Sequence, residues 1–338
     1  MLHTLIVGLG RSGRGLHLPS LAKARAAAPS LFAPGPVMGH DPLCPGADGL
    51  LAVASPEEAA RRRPPRDTVV HLCTPPHLRA EPLETLARLG YRSIIVEKPL
   101  ALDLVELAAI ARLRRRWDLD LAVSTPWSAS ALSRRLSAAR RSGAFGALRA
   151  ITVRQHKPRF TRSLGSPGHP TAFDIEVPHA LAVVVALAGG ADVAAAGLED
   201  MVVDGARLPG LGGARLDLVH HTGVLTRIES DLTSPLRERR IVLEFDEVVL
   251  TGHYPCSEAD HTAQLSVAVP GRAPTRSVFH DDAFTAFLRA CYTRYSRPRR
   301  TRGDLPVHVE AVRLLSEAKN LCSPRTDDPR EADSAVRV

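Results

Sequence analysis

The chain has 338 residues, 44% hydrophobic and 24% charged, a composition that excludes a disordered or fibrous protein and leaves room for two cored domains. Its longest apolar run, "ALAVVVALAGG" over 180–190, is about half the ~20 residues that a membrane-spanning helix needs. Cys44, Cys73, Cys256, Cys291 and Cys322 are scattered without a CxxC pair, which excludes a disulfide framework and a cysteine zinc site.

The formal net charge of +8 raises the question of nucleic acid. The basic runs "RRRPPR" (61–66) and "RPRRTR" (297–302) are short and far apart, and aromatics make up only 4% of the chain. Stacking platforms are therefore absent, and neither a nucleic-acid nor a membrane partner is expected. The milder implication is attraction for anionic small molecules such as sugar phosphates. "MLHTLIVGLG" carries no basic lead and no small-residue cleavage site, so it reads as a first strand, and a cytoplasmic location is expected.

In chain order, "HTLIVGL" reads as a strand, 14–28 as a helix, "PVMGHD" as a short strand and "TVVHLCT" (68–74) as a third. The helix-like "LRAEPLETLARLG", the strand "RSIIVE", the helix "VELAAIARLRRRW" and the strand "LDLAVST" complete the alternation. Strands alternating with helices predict a parallel sheet over a first domain, 1–123. Pro19, six residues past Gly13, predicts an irregular start to the first helix.

Over 124–322 the pattern changes. Two helices, "SALSRRLSAARRSG" and "EVPHALAVVVALAG", stand among the β-like runs "ALRAITVRQ", "ARLDLVHH", "GVLTRIESDL", "RRIVLEF", "EVVLTG" and "AQLSVAV", joined by short turns. These predict a meandering, mainly antiparallel open sheet in a second, α+β domain. Two closing helices, "DAFTAFLRACYTRY" and "LPVHVEAVRLLSEAKN", precede a polar tail, 323–338, expected to be disordered.

Three features carry chemistry. "GLGRSG" sets Gly8, Gly10 and Gly13 in G-x-G-x-x-G spacing between strand and helix, which suits close approach of backbone N–H groups to a pyrophosphate. Asp41, ending the second strand, suits the adenosine ribose hydroxyls and repels a 2′-phosphate, favouring NAD over NADP; it also suits an Asp-Pro turn of no further meaning. Lys98, in "IIVEKPLA", is one of four lysines (Lys23, Lys98, Lys157, Lys319) in an arginine-rich chain. It ends a strand on the same sheet edge as Thr74, Pro75 and Pro76, and a compact ammonium there can be desolvated and tuned where a guanidinium cannot.

In "FDIEVPHALAVVVALAG", Asp174 is expected to cap a helix with Pro178 in its first turn, and Glu176 and His179 to share a face. The helix N-terminus disfavours an imidazolium and Glu176 favours it, so a near-neutral pKa suited to proton relay is expected for His179. A packing role for all three is equally compatible with the residues alone. An E-x-x-H metal site would need a second cluster that the sequence lacks, and no metal is expected. "RQHKPRF" gathers Arg154, His156, Lys157 and Arg159 as candidate contacts for a phosphorylated or carboxylated substrate, or as a solvated loop. Trp127 offers an apolar face to a sugar ring, or packs in the core.

"GLGRSGRGLHLPSL", "CTPPHLRAEPLETLARLGYRSIIVEKPLAL" and "DIEVPHALAVVVALAG" together resemble the Gfo/Idh/MocA oxidoreductases, the family of glucose–fructose oxidoreductase and inositol dehydrogenase. The resemblance spans essentially the whole chain, and the Glu-Lys-Pro at 97–99 is its most specific mark. It implies an N-terminal Rossmann domain, a C-terminal α+β domain used for a homodimer or homotetramer, and hydride transfer between NAD and a carbohydrate-like small molecule. It implies cofactor contacts from Gly8, Gly10, Arg11, Ser12, Gly13, Asp41, Thr74, Pro75, Glu97 and Lys98. Lys98 matches the lysine that binds the reacting hydroxyl and His179 the second-domain histidine, assisted here by Glu176 or Asp174. A cis Lys98–Pro99 bond is also implied.

This sequence departs from the pattern where Ile175 stands for an aspartate, Arg79 for a histidine, and "STPWSAS" for a polar-aromatic-arginine stretch. The expected substrate is a sugar, sugar phosphate, nucleotide sugar or cyclitol. The arginine- and alanine-rich usage suggests a high-GC bacterium and a specialised-metabolite pathway. The alternatives are an imine reductase and a nicotinamide-binding regulatory or scaffold protein of the same fold.

Overall fold

The computed structural model describes residues 1–44, 46, 49–165, 168–257, 259–297 and 305–323. The expected disordered tail, 323–338, lies outside them except for Ser323, as does most of the second basic run. No helix among the described residues is long and apolar enough to cross a membrane.

Six parallel strands form the first sheet: β1 (His3–Val7), β2 (Val37–His40), β3 (Leu50–Ala52), β4 (Thr68–Leu72), β5 (Ser93–Glu97) and β6 (Asp120–Ser124). Their order is β3-β2-β1-β4-β5-β6, the doubly wound arrangement. Its helices are α1 (Leu18–Ala27), α2 (Pro56–Arg62), α3 (Ala80–Arg88) and α4 (Leu104–Trp117). β3 and α2 are additional to the elements expected from the sequence. Yet α2 carried a legible signal, Ser55-Pro-Glu-Glu: the Ser55 hydroxyl accepts from Glu58 N–H at 3.3 Å, and Glu58 accepts from Ala54 N–H at 2.7 Å.

The irregular start of the first helix is a π-helical turn, Gly13–His17, that leads into α1. Pro19 has no N–H to give the carbonyl four residues back, and the wider turn accommodates that loss.

The second sheet has eight strands: β7 (Leu148–His156), β8 (Ala191–Val203), β9 (Ala206–His220), β10 (Leu225–Asp231), β11 (Glu238–Phe245), β12 (Val249–His253), β13 (Thr262–Ala268) and β14 (Thr275–His280). Their order, β14-β13-β12-β11-β7-β10-β9-β8, corrects the expected simple meander. β7, first in the chain, is inserted at the centre, where it pairs antiparallel with β11 and parallel with β10. β8 and β9 make a long hairpin whose turn residues, Asp204 and Gly205, have φ of 49° and 82°. This Asp-Gly turn matches the strand twist and was a hairpin signal the sequence reading did not use.

Helices α5 (Ala131–Ser142), α6 (Phe160–Gly165) and α7 (Val177–Ala188) belong to this half, followed by α8 (Ala283–Tyr295) and α9 (Leu305–Cys322). The apolar 180–190 run is explained by α7, which is buried almost all round between the inner face of the second sheet and α9.

The two halves share their cores. One face of the first sheet, with Ile6, Val69, Ile95 and Ala122, is covered by α1 and by Phe284, Phe287, Leu288 and Tyr292 of α8. Tyr295 pins that helix by donating to the carbonyls of Ile94 at 3.1 Å and Asp120 at 3.2 Å. The opposite face packs α2, α3 and α4, and Val312 of α9 joins them. In the other direction α9 sends Ala311, Leu314, Leu315 and Ala318 into the second core.

Candidate active site

The glycine loop follows β1 as its spacing predicts. Gly8 has φ of +92°, and a Cβ there would lie 3.0 Å from the Cys73 carbonyl carbon and oxygen. A Cβ on Gly13 would lie 2.1 Å from the Gly8 carbonyl oxygen, so no side chain fits at either position. Gly10 differs, since a Cβ there meets nothing within 4 Å and the loop faces open space.

Two buried hydroxyls beside the loop, Ser12 Oγ and Thr74 Oγ1, have no partner among the described residues. Thr74 and Pro75 form the wall after β4. Asp41 accepts from Leu9 N–H at 2.7 Å and from Leu43 N–H at 2.8 Å, so the acidic residue just after β2 also fixes the glycine loop. A loop that only a backbone can line, open at Gly10 and flanked by unsatisfied hydroxyls, fits the phosphates of a dinucleotide. Arg11 is exposed, and its charge reaches Arg159 and Arg162 in the second half of the chain.

Lys98 stands just past β5, and its bond to Pro99 is cis. Its ammonium donates to the carbonyl oxygens of Ile175 at 2.6 Å and Asp174 at 3.2 Å, in the turn that leads into α7. Burial lowers the Lys98 pKa to about 8, against the opposing pull of Glu176 and Glu97. Arg79, noted in the sequence only as a departure from the resemblance, is fully buried beside Lys98. Its guanidinium donates to the carbonyls of Pro99, of Leu100 at 2.9 Å and of Thr74 at 3.4 Å. It thereby ties the lysine loop to the wall after β4.

Three of the four lysines converge on the 174–176 turn. Lys98 holds its carbonyls, Lys319 pairs with the Asp174 carboxylate and Lys157 pairs with that of Glu176. Asp174 also accepts from the Thr171 hydroxyl at 2.9 Å and from Thr171 N–H at 3.2 Å, closing a capping box over a short 3-10 turn. The expectation that Asp174 caps α7 is therefore corrected: α7 begins three residues later, with Pro178 in its first turn. Fully buried and bonded to Thr171 and Lys319, Asp174 has a structural task. Burial alone would raise the pKa of Glu176, but Lys157 beside it holds it down, to about 2.

His179 lies in the first turn of α7, and its Nδ1 is buried without a partner among the described residues. Burial, and then the charge of Lys98, lower its pKa to about 3 against the pull of Glu176. The near-neutral pKa expected for His179 is corrected, because desolvation and the Lys98 cation outweigh one carboxylate that is already shared with Lys157. Trp127 is 6% exposed; its ring is stacked 4.1 Å from that of Tyr254 and 6.1 Å from that of His179. It backs the histidine and offers little face of its own.

The basic segment 154–159 is divided by strand alternation. Arg154 and His156 point to the face of β7 away from the core, where Arg154 pairs with Glu229 at 3.1 Å and His156 lies 3.9 Å from Glu238. The structure thus places both on the face of β7 opposite the one that meets α7. Lys157 remains in the site.

Sequence reasoning missed Gln155 and Arg239. They pair directly across β7 and β11 on the inner face, and the Arg239 charge reaches Lys157, Glu176 and His179. It also missed a buried chain behind Glu97. His17 Nε2 lies 2.7 Å from Glu97 Oε1, His17 Nδ1 lies 2.9 Å from His71 Nδ1, and His71 Nε2 lies 3.1 Å from the Tyr292 hydroxyl. Against burial, Cys73 and Glu97 raise the His17 pKa to about 10, while His17 and Ser124 help hold Glu97 down to about 2.

The sequence matches no protein-family model and no curated protein sequence. Solved structures do match along almost the whole chain. A 3-ketoreductase from Actinomadura kijaniata (KijD10), solved with TDP-benzene and NADP in an open conformation, superposes with a TM-score of 0.74 at 15% identity, covering 95% of this chain and 98% of that one. UDP-N-acetylglucosamine 3-dehydrogenase GnnA from Acidithiobacillus ferrooxidans gives 0.73 at 17% identity, covering 95% and 98%. An NAD binding oxidoreductase from Klebsiella pneumoniae gives 0.72 at 13% identity, covering 95% and 96%. At these identities the likeness is one of fold: a doubly wound parallel sheet joined to a mainly antiparallel eight-stranded one.

Proposed function

We propose that this protein is a nicotinamide-dinucleotide-dependent oxidoreductase that interconverts a secondary alcohol and a ketone on a sugar- or cyclitol-like substrate. The observation that carries the reading is Lys98: a desolvated ammonium with pKa about 8, held at the carboxyl edge of a dinucleotide-type sheet and facing the turn before His179. Support comes from the fold shared with a 3-ketoreductase and a sugar-nucleotide 3-dehydrogenase.

A bound nicotinamide supplies the hydride acceptor for oxidation or the donor for reduction. Gly8, Gly10, Gly13, Ser12 and Thr74 hold the phosphates, and Asp41 takes the adenosine ribose, which favours NAD. Lys98 hydrogen-bonds the oxygen on the reacting carbon; as the neutral amine it takes the hydroxyl proton, and as ammonium it returns it. His179, held neutral and backed by Trp127, hydrogen-bonds the same oxygen and fixes its approach. Glu176 stays a carboxylate, anchoring Lys157 and accepting from a substrate hydroxyl. Buried polar atoms without partners among the described residues, including Ser163 Oγ and His169 Nδ1, suit a hydroxyl-rich ligand.

The test is NAD⁺ and NADP⁺ reduction over sugars, sugar phosphates, nucleotide sugars and cyclitols, with Lys98→Met as control. The variant is expected to bind dinucleotide as the parent does and to lose about 10²–10⁴-fold in kcat. Unchanged turnover would remove Lys98 from the chemistry.

A further inference from the structure

The floor of the site is one row of the eight-stranded sheet. Ser230 of β10 pairs with Gln155 of β7, and Gln155 pairs with Arg239 of β11. Tyr254, just past β12, continues the row by donating its N–H to the Arg239 carbonyl at 2.9 Å. Residues directly opposite one another across a ladder put their side chains on the same face. Here it is the face that carries Ile151 and Val153 into the core beneath α7. Through Tyr254 and Trp127 the row reaches the His179 ring.

Two members of the row break the alternation that built it. After Ile151 and Val153 an apolar residue is expected at 155, yet the position holds a glutamine that is 2% exposed. Neither its Nε2 nor its Oε1 has a partner among the described residues. Ser230, at 4% exposed, likewise has an unpartnered Oγ. Buried polar atoms are almost always satisfied in a native fold, so two adjacent exceptions on the face beneath α7 point to a ligand that satisfies them.

The charge around the row is one-sided. Lys98, Lys157 and Arg239 surround Glu176, while Glu97 is taken by His17 and Asp174 by Lys319. One N–H of Arg239 is used by the Pro255 carbonyl, at 2.9 Å, and a guanidinium has five.

We propose that Ser230, Gln155 and Arg239 form a specificity row that selects a polyhydroxylated substrate bearing an anionic group, with Arg239 on the carboxylate or phosphate and Gln155 and Ser230 on neighbouring hydroxyls. This rests on the oxidoreductase reading above and narrows its substrate class.

Calorimetric titration of the full chain with D-glucose, D-glucuronate and D-glucose 6-phosphate tests it, and the two anions separate a carboxylate from a phosphate. At least one anion is expected to bind about tenfold or more tightly than glucose at low salt. Arg239→Met should abolish that preference while leaving dinucleotide affinity unchanged. Gln155→Leu should weaken the preferred anion about tenfold while leaving the melting temperature equal or higher, an outcome that a purely structural glutamine does not give. Glucose binding as well as both anions, no binding of any probe, or a preference that survives Arg239→Met would overturn the proposal. The oxidoreductase reading fails separately, through absent dinucleotide binding or a fully active Lys98→Met.

Discussion

Lys98 and His179 both lie in desolvated surroundings, and burial moves both pKa values downward, with opposite consequences. An ammonium lowered from the usual lysine range to about 8 titrates within reach of neutrality, whereas an imidazole lowered to about 3 does not titrate there. Oxidation needs the neutral amine. Its kcat/KM should therefore rise about tenfold per pH unit below pH 8 and level off above it, and ketone reduction should fall above the same point. No inflection from His179 is expected between pH 5 and 7, and a break near 6.5 in the measured profile would return the proton-exchange role to the histidine. Lys98 and His179 were visible in the sequence as residues but not as a pair with these charges. The protonation of His179 depends on Lys98, some eighty residues away in sequence, and on the diversion of Glu176 to Lys157. Gln155 was silent for a different reason: a single glutamine in "ITVRQH" stands out only when the strand's inner face is known.

The glycine loop was the most legible element, because its spacing encodes backbone geometry directly. The three glycines nonetheless do different work, and substitution separates them. Gly13→Ala drives a methyl into the Gly8 carbonyl and should cost stability, about 1–3 kcal/mol by urea unfolding, together with dinucleotide affinity. Gly10→Ala meets open space, so its melting temperature should match the parent while dinucleotide affinity falls at least about tenfold. An equal loss of stability in both variants would show that the loop serves packing alone. Less was legible in the second sheet. Short amphipathic runs announce strands but not their partners, and the insertion of β7 between β10 and β11 joins segments that lie far apart in the chain. The polar, alanine-rich β8 has neither a clean alternation nor a β-branched run, and it is held as a strand by its long hairpin with β9.

On the scale of the whole molecule, a buried polar chain crosses the junction between the halves. With His17 protonated, both its nitrogens donate, one to Glu97 and one to His71; His71 then donates to Tyr292, whose hydroxyl lies 2.5 Å from Thr4 Oγ1. The chain thus links β1, the π-turn, β4, β5 and α8. Its pH dependence follows from the signs. Glu97, lowered to about 2, contributes stability that is present above its unfolded value near 4.5 and lost as pH falls toward 2. His17, raised to about 10, contributes stability that is full below its unfolded value near 6.5 and lost as pH climbs toward 10. The pair therefore stabilises most between about pH 4.5 and 6.5. His17→Leu strands the Glu97 carboxylate and should cost about 3–5 kcal/mol at pH 6 and distinctly less at pH 10, measured by urea unfolding. A cost independent of pH would mean that His17 acts by packing alone.

Helix α8 also constrains how the chain is made. The apolar face presented by Ile6, Val69, Ile95 and Ala122 is complete only when Phe284, Phe287 and Leu288 arrive. A nascent chain emerging from the ribosome has every strand of the parallel sheet long before it has that cover. During synthesis of the entire second sheet, one side of the first remains exposed to chaperones and to neighbouring chains. The N-terminal half, although it reads as a domain of its own, reaches its final form only after the second sheet has been made.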